Sequence, residues 1–147
     1  MHLRALPSGA RDLAPAPIAM VWSPMTGGSP MISALDPARF WPGRRWMDWV
    51  GTSFYSKFPN FQYLTPFYER FSARQRLPFM FAEWGMWGNG DPGFVRRLLS
   101  WTLAHRRTRM LVYNQGNRTD GPFRLRRYPA AARALRQGLG HRRFAIR

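Results

Sequence analysis

Four short apolar segments recur along the chain, separated by polar, glycine-containing or helical stretches. They cover residues 17–22, 46–55, 79–83 and 109–115. Each segment is rich in aromatic or β-branched residues and is bounded by proline, glycine or polar side chains, as buried β-strands usually are. The pattern therefore predicts four strands.

Apolar positions at helical spacing predict three helices after the second strand. The first covers residues 61–74. The second runs from an Asp-Pro pair to about His105, with Asp91 as the N-cap, because aspartate caps helices well and proline suits the first helical position. The third ends at two glycines, Gly138 and Gly140. The positions expected to face the core are Leu64, Phe67, Tyr68 and Phe71, then Val95, Leu98, Leu99 and Thr102, then Tyr128, Ala132, Leu135 and Leu139.

Strands and helices alternate, which predicts an α/β fold with a parallel sheet and right-handed crossovers. Four strands with their helices make half of a (β/α)8 TIM barrel, which takes about 250 residues when complete, whereas this chain has 147. A half barrel leaves segments 17–22 and 109–115 as apolar edges that need partners. We therefore expect part of a longer enzyme, a truncated gene product or a half that must pair; an open four-stranded α/β domain is the alternative.

The predicted organisation is an irregular N-terminal segment at 1–16, a partial barrel at 17–140 and a basic tail at 141–147. Residues 1–20 lack the compact apolar segment of a secretion signal. No uninterrupted apolar stretch is long enough to span a bilayer. The chain has no cysteine, which removes disulfides and thiolate chemistry and leaves the compartment undecided.

The chain is strongly basic, with a formal net charge of +16, and all of its basic residues except Lys57 are arginines. Its 45% hydrophobic and 16% aromatic content excludes a disordered polyelectrolyte. Arginine binds phosphate and carboxylate through a planar fork, so one hypothesis is a non-catalytic protein that binds an acidic polysaccharide or nucleic acid. Because the arginines are dispersed, we interpret them mainly as solvated faces and a basic tail, with nucleic acid not expected.

Glu83 is the only acidic residue in the apolar run 78–85. A carboxylate in such a strand costs free energy unless it has a partner or a function. The carboxyl end of a strand opens onto the reaction face of a parallel barrel. Glu83 is therefore a candidate catalytic residue, and a structural carboxylate paired with a cation is the alternative.

Several short motifs follow one another along the three predicted strands up to Gly85. Trp-Ser-Pro at 22–24 ends the first strand, Trp-Pro-Gly at 41–43 precedes Trp-Met-Asp-Trp-Val-Gly at 46–51, and Tyr55 ends the second strand. Pro-Phe-Met-Phe-Ala-Glu-Trp-Gly at 78–85 contains the third. This order resembles the second half of glycoside hydrolase family 26, the β-mannanases and related β-glycanases. The resemblance implies the C-terminal half of a (β/α)8 barrel and hydrolysis of a β-linked polysaccharide with retention of configuration.

The resemblance also implies roles for individual residues. Glu83 takes the place of the nucleophile, and Tyr55 takes the place of the tyrosine that orients it. Trp22, Trp84 and Trp87 match the aromatic residues that form the sugar-binding floor, and the early position of Asp48 indicates a structural role. Separately, Asn114 and the neighbouring glutamine end the last predicted strand, where they are positioned to bind sugar hydroxyls; capping of the following loop's own backbone is the alternative.

Two departures from the family pattern limit this interpretation. The family's general acid is a glutamate on a strand before the Trp-Ser-Pro strand, and residues 1–16 contain no glutamate. Arg44 stands where the family has an acidic residue. Retaining glycosidases need two carboxylates about 5–5.5 Å apart, so we expect this chain to be inactive alone and to require a missing N-terminal half-barrel. Asp91 is the best internal substitute, although its position predicts a helix cap, and Asp120 reads as a turn residue.

No metal or cofactor is expected. His2, His105 and His141 make no metal-ligand spacing with acids, and no phosphate loop or serine nucleophile elbow is present. The expected ligand is a polysaccharide or oligosaccharide. A full-length parent that acts on such a substrate would be extracellular or periplasmic.

Overall fold

The structure is a computed structural model that describes residues 18–28, 32–118 and 121–144. Four strands form one all-parallel sheet in the order β1-β2-β3-β4. The strands are β1 Val21–Trp22, β2 Trp49–Tyr55, β3 Phe79–Gly85 and β4 Thr108–Tyr113, and a small antiparallel pair follows, β5 Asn117–Arg118 and β6 Gly121–Pro122. The helices are α1 Phe61–Tyr68, α2 Pro92–Ala104 and α3 Pro129–Leu139. The predicted α/β fold with four parallel strands is confirmed.

Short helical turns supplement the main elements. Residues Glu69–Ala73 continue α1 as a π-helical turn, which accounts for most of the predicted 61–74 helix. The 3-10 turns are Ser33–Leu35, Pro37–Phe40, Arg44–Trp46, Leu125–Arg127 and Arg142–Phe144. Within the described ranges, none of the helices is long and apolar enough to cross a membrane.

The start of α2 agrees with the sequence prediction. The Asp91 carboxylate accepts hydrogen bonds from the amides of Gly93 at 2.7 Å and Phe94 at 3.2 Å, and Pro92 occupies the first turn. These bonds satisfy amides that have no partner inside the helix. The predicted N-cap role of Asp91 is therefore confirmed.

The second strand begins later than predicted. Gly43 has a φ of 97°, a conformation that glycine adopts readily, and it starts the 3-10 turn Arg44–Trp46. Because of this turn, the Trp46 side chain leaves the sheet and is 59% exposed. The prediction that the second strand begins at Trp46 is therefore wrong. The first strand is also shorter than predicted, at Val21–Trp22.

One face of the sheet is covered by helices. Phe79 of β3 contacts Phe67 and Tyr68, with ring centroids 6.3 and 5.5 Å apart, and both Phe79 and Phe81 are fully buried. Phe54 of β2 packs against aromatic rings of α1 and α2 on the same face. Burying one such side chain stabilises the fold by roughly 1.5–3 kcal/mol, so this face contains the main core.

The described residues leave the opposite face of the sheet open. Met80 and Met110 are register partners on this face, and Met110, Val112 and Val21 remain 45%, 40% and 41% exposed. Gly51 lies beside Met80, where an added Cβ would come within 3.1 Å of the Met80 side chain. A parallel sheet is normally covered on both faces, so half of the usual covering is not supplied by the described residues.

Candidate functional site

Three neighbouring strands bring their last residues together at the carboxyl end of the sheet. Tyr55 is the last residue of β2, Glu83 lies near the end of β3, and Asn114 directly follows β4. Because the strands are parallel, their carboxyl ends meet at the same edge. We refer to Tyr55, Glu83 and Asn114 as the Glu83 cluster.

Hydrogen bonds connect all three members of the Glu83 cluster. The Tyr55 hydroxyl donates to Glu83 Oε1. Asn114 Nδ2 donates to the Tyr55 oxygen at 2.8 Å and to Glu83 Oε1 at 3.2 Å. The Asn114 side-chain oxygen accepts from the Gly116 amide at 2.7 Å, which fixes the orientation of the amide group. The cluster therefore presents a solvent-exposed carboxylate with one oxygen held in place.

An irregularity in β3 turns Glu83 toward solvent. Phe79 and Phe81 point to the helix-covered face, and strict alternation would place Glu83 there as well. Instead the pairing with both neighbouring strands shifts register here, between Thr52 and the next residue of β2 and between Phe81 and Trp84 of β3. Bulges of this kind re-aim side chains near functional sites. As a result Trp84 is buried and Glu83 is exposed.

Gly85 allows the Tyr55 ring to approach β3 closely. A Cβ added at Gly85 would lie 3.2 Å from Tyr55 Cε1, closer than most real contacts. The other surroundings of the Tyr55 ring are Phe123, at a centroid distance of 5.1 Å, and Trp87, at 5.5 Å and nearly perpendicular. The phenol is thus held by packing as well as by hydrogen bonds.

An aromatic wall stands beside the Glu83 cluster. It consists of Trp87, which is half-buried, and Phe58, which is 52% exposed, with ring centroids 5.9 Å apart. Lys57 Nζ lies 4.9 Å from the centroid of the Trp87 ring. The Trp87 amide donates to the Ser56 hydroxyl oxygen at 2.7 Å, which joins the loop after β3 to the end of β2. Phe58 and Lys57 were not among the predicted site residues, although their position just after a strand end was the available signal.

The other two tryptophans proposed for the sugar floor lie elsewhere. Trp84 is only 2% exposed and packs edge-on against Tyr113 at 4.8 Å. Trp22 packs on the helix-covered face against Trp41 and Phe71, at 4.7 and 4.8 Å. The structure therefore brings Trp87 to the Glu83 cluster and does not bring Trp22 or Trp84, because the faces of their rings are occupied by the core.

Tyr113 supports the loop that follows Asn114. Its hydroxyl donates to the Phe123 carbonyl oxygen at 2.8 Å and accepts from the Met86 amide at 3.3 Å. Burial raises the pKa of the Tyr113 phenol above its ordinary value of 10.0, and the Met86 hydrogen bond opposes this shift. The neutral phenol thus connects the loops after β3 and β4.

The remaining described acids have structural partners or lie on the surface. Asp91 caps α2, Asp36 accepts from the Ala38 amide at 2.7 Å, and Asp48 accepts from the Met20 amide at 2.8 Å. The bond from Asp48 connects the start of β1 to β2, in keeping with the structural role expected of it. Asp120 lies outside the described residues.

Across the part of the chain that the structure describes, no three His, Cys, Asp or Glu side chains form a group suited to a metal ion. No protein-family model matches the chain, and no curated protein sequence matches it significantly. The resemblance to glycoside hydrolase family 26 therefore depends on the motifs quoted above.

Proposed function

We propose that this chain is the C-terminal half of a retaining glycoside hydrolase barrel that acts on a β-linked polysaccharide of the mannan type. The observation that carries the proposal is the Glu83 cluster, in which an exposed carboxylate at a strand end accepts hydrogen bonds from Tyr55 and Asn114. A nucleophilic carboxylate needs to be fixed and reachable. The hydrogen bonds fix Glu83, and its exposure to solvent makes it reachable.

The hydrogen bonds support one of the two Glu83 oxygens as the nucleophile. Tyr55 and Asn114 both donate to Oε1 of Glu83. Oε2 has no hydrogen-bond partner among the described residues, so it attacks the anomeric carbon while the glycosidic bond breaks. The departing oxygen takes a proton from a second carboxylic acid, and water later releases the sugar from Glu83. Donors on Oε1 stabilise the free carboxylate and also hold the ester that forms.

The aromatic wall is the candidate sugar platform. A pyranose ring presents apolar C–H groups that pack on aromatic faces, and sugar sites combine such faces with a few polar groups. Trp87 packs against Tyr55 of the Glu83 cluster and Phe58 packs against Trp87, and both rings are partly exposed. We therefore assign the stacking role to Trp87 and Phe58.

The proton donor must come from a complementary half barrel. Asp91 is engaged as a helix cap, so it does not serve as the acid. The open face of the sheet, with Val21, Met110 and Val112 exposed, and the two edge strands β1 and β4 are the surfaces that such a half would cover. Covering both edges would close the sheet, as eight parallel strands do in a complete barrel.

The nucleophile can be tested without the missing acid. A 2-deoxy-2-fluoro-β-mannosyl fluoride has a leaving group that needs no proton, because C1–F breaks as fluoride while the Glu83 oxygen bonds to C1. We expect the intact protein mass to increase by one fluoromannosyl group, and peptide mapping to place that group on Glu83.

The control is Glu83→Gln, which keeps the shape of the side chain and removes the charge. It should not be labelled, and Asp91→Asn should be labelled like the unaltered chain. Labelling of the unaltered chain at another residue, or no labelling of a sample whose circular dichroism shows a folded protein, would contradict the proposed nucleophile.

A further inference from the structure

Two cavities adjoin at the amino end of the sheet, on the side opposite the Glu83 cluster. The outer cavity has a volume of about 530 Å³ and is lined by Leu103, Arg106, Arg109, His141, Arg142 and Arg143. The inner cavity has a volume of about 290 Å³, and it shares Arg109 and Arg143 with the outer one. The outer volume falls within the range of small-molecule sites, about 300–1,000 Å³.

Arg143 builds these cavities by tying the C-terminal segment to the end of α2. Its guanidinium donates to the carbonyl oxygens of Thr102 and Leu103, both at 2.7 Å, and to those of His105 and Thr108, at 3.3 and 3.1 Å. A cation at a helix C-terminus also interacts favourably with the helix dipole. Residues 141–144, predicted as the start of a basic tail, are therefore fixed against the fold.

Of the described residues, those that line the outer cavity include several cations and no acid. Arg106, Arg109 and Arg142 are exposed at its wall, and none of the residues that line it is Asp or Glu. Among the described residues, these three arginines have no hydrogen-bonded carboxylate. The side-chain donors of Arg143, in contrast, are already occupied by backbone carbonyl oxygens. Three guanidinium groups around one concave surface repel each other unless an anion lies between them.

Two threonines that line the inner cavity carry buried hydroxyl groups without partners among the described residues. Thr102 is 2% exposed and Thr108 is 4% exposed, and neither side-chain oxygen has a hydrogen-bond partner in the described ranges. A buried polar group with no partner costs about 1–3 kcal/mol, so such groups call for an explanation. A bound ligand with acceptor oxygens would satisfy both hydroxyls.

We infer that these two cavities bind an oligophosphate. Arginine forks match phosphate oxygens in geometry and charge, and the hydroxyls of Thr102 and Thr108 add donors deeper in the same site. A chain of phosphate groups carries enough negative charge to balance Arg106, Arg109 and Arg142 together. This site uses none of the residues of the Glu83 cluster. Its test is therefore independent of the test of the proposed hydrolase function.

The probe is inorganic tripolyphosphate, and its binding to the 147-residue chain is measured by titration calorimetry. The test variant carries Arg106→Gln, Arg109→Gln and Arg142→Gln. The control variant carries Arg96→Gln, Arg133→Gln and Arg136→Gln, which are exposed on α2 and α3 and give the same change in net charge. We expect the test variant to lose affinity at least tenfold and the control variant to lose less than threefold. Equal losses would overturn the inference, because they would indicate attraction to overall charge only.

Thr108→Val tests the inner cavity separately. Valine keeps the size of threonine and removes the unpartnered hydroxyl, so this variant should weaken tripolyphosphate binding about threefold or more while its melting temperature stays equal or rises. Unchanged affinity in Thr108→Val would exclude the hydroxyls from the site. If the triple variant fails to fold by circular dichroism, single Arg106→Gln and Arg142→Gln variants replace it, with the same expected direction.

A short DNA duplex distinguishes free oligophosphate from the nucleic-acid backbone. A duplex that competes with tripolyphosphate and loses affinity in the test variant alone would identify the backbone as a source of the phosphates. A duplex that binds the test and control variants equally would show that the duplex does not use the cavities. Tripolyphosphate binding that is lost in the test variant would then identify the small oligophosphate as their ligand. Binding of the duplex through sites outside the cavities together with no tripolyphosphate binding would contradict the inference.

Discussion

The carboxyl end and the amino end of the sheet carry opposite chemistry and are built in different ways. At the carboxyl end, Glu83, Tyr55 and Asn114 come from three adjacent strand ends and hydrogen-bond to one another. At the amino end, Arg106 and Arg109 meet Arg142 only because a distant segment is docked there. Parallel topology alone assembles the first group, whereas the second requires tertiary capping of α2. A cluster formed by adjacent parallel strand ends can therefore be predicted from the sequence more readily than one formed by docking of a distant segment.

The largest effect should come from Glu83→Gln. Because it removes the attacking charge, we expect it to slow the first step, release of dinitrophenolate from a dinitrophenyl β-mannoside whose leaving group needs no proton, by about 10⁴-fold, in proportion to losses seen when a nucleophile is removed. Release of dinitrophenolate measures the rate, and Arg106→Gln at the other end of the sheet should leave it unchanged. A Glu83→Gln variant as fast as the unaltered chain would show that the carboxyl end of the sheet does not carry the reaction.

Arg143→Ala should have the largest effect on stability. It removes hydrogen bonds from a charged donor to carbonyl oxygens of α2 and β4, and such bonds contribute about 1.5–3 kcal/mol each before relaxation. We expect a loss of about 2–4 kcal/mol in the free energy of unfolding, measured by urea denaturation. The matched control is Arg142→Ala, with a change within about 0.5 kcal/mol.

Tyr55→Phe should affect the carboxyl end more narrowly. It removes one donor from Glu83 and leaves the ring against Phe123 and Trp87. We expect fluoromannosyl labelling of Glu83 to slow by about 10²-fold, as for loss of one preorganised donor. Labelling is followed by mass spectrometry over time, and an unchanged rate would show that Tyr55 does not position the carboxylate.

The smallest effect concerns pH. Because burial raises the pKa of Tyr113 above 10.0, the folded chain retains a proton that the unfolded chain releases. The resulting stability is fully present below the unfolded pKa and declines as pH rises through the folded pKa. Urea denaturation between about pH 9 and 11 should show a steeper decline for the unaltered chain than for Tyr113→Phe, which lacks the titrating group. Parallel declines would contradict this coupling.

The sequence was sufficient for the features that depend on local rules. The Asp91 cap and the four strands follow from nearest neighbours and from apolar runs. The meeting of Glu83 with Tyr55 follows from parallel strand ends together with the motifs that resemble glycoside hydrolase family 26. Asn114 was predicted from its position at the end of the last predicted strand, although the sequence did not indicate that it would bind Glu83 and Tyr55 directly.

The features that sequence did not disclose depend on departures from regular geometry. A register shift buries Trp84 where alternation and motif position favoured exposure. A turn begun by Gly43 moves Trp46 out of the sheet. The docking of Arg143 depends on carbonyl groups up to 41 residues away in the chain, and no local pattern of apolar and polar positions encodes that distance.

The two borders of the sheet offer very unequal templates for an incoming strand. β4 has six residues, whereas β1 has two and is held at its start by the Asp48 carboxylate. A complementary half would gain more backbone pairing along β4, so association should nucleate there and reach β1 last. Amide hydrogen exchange measured while a complementary half associates would show this order as early protection of β4 and late protection of β1.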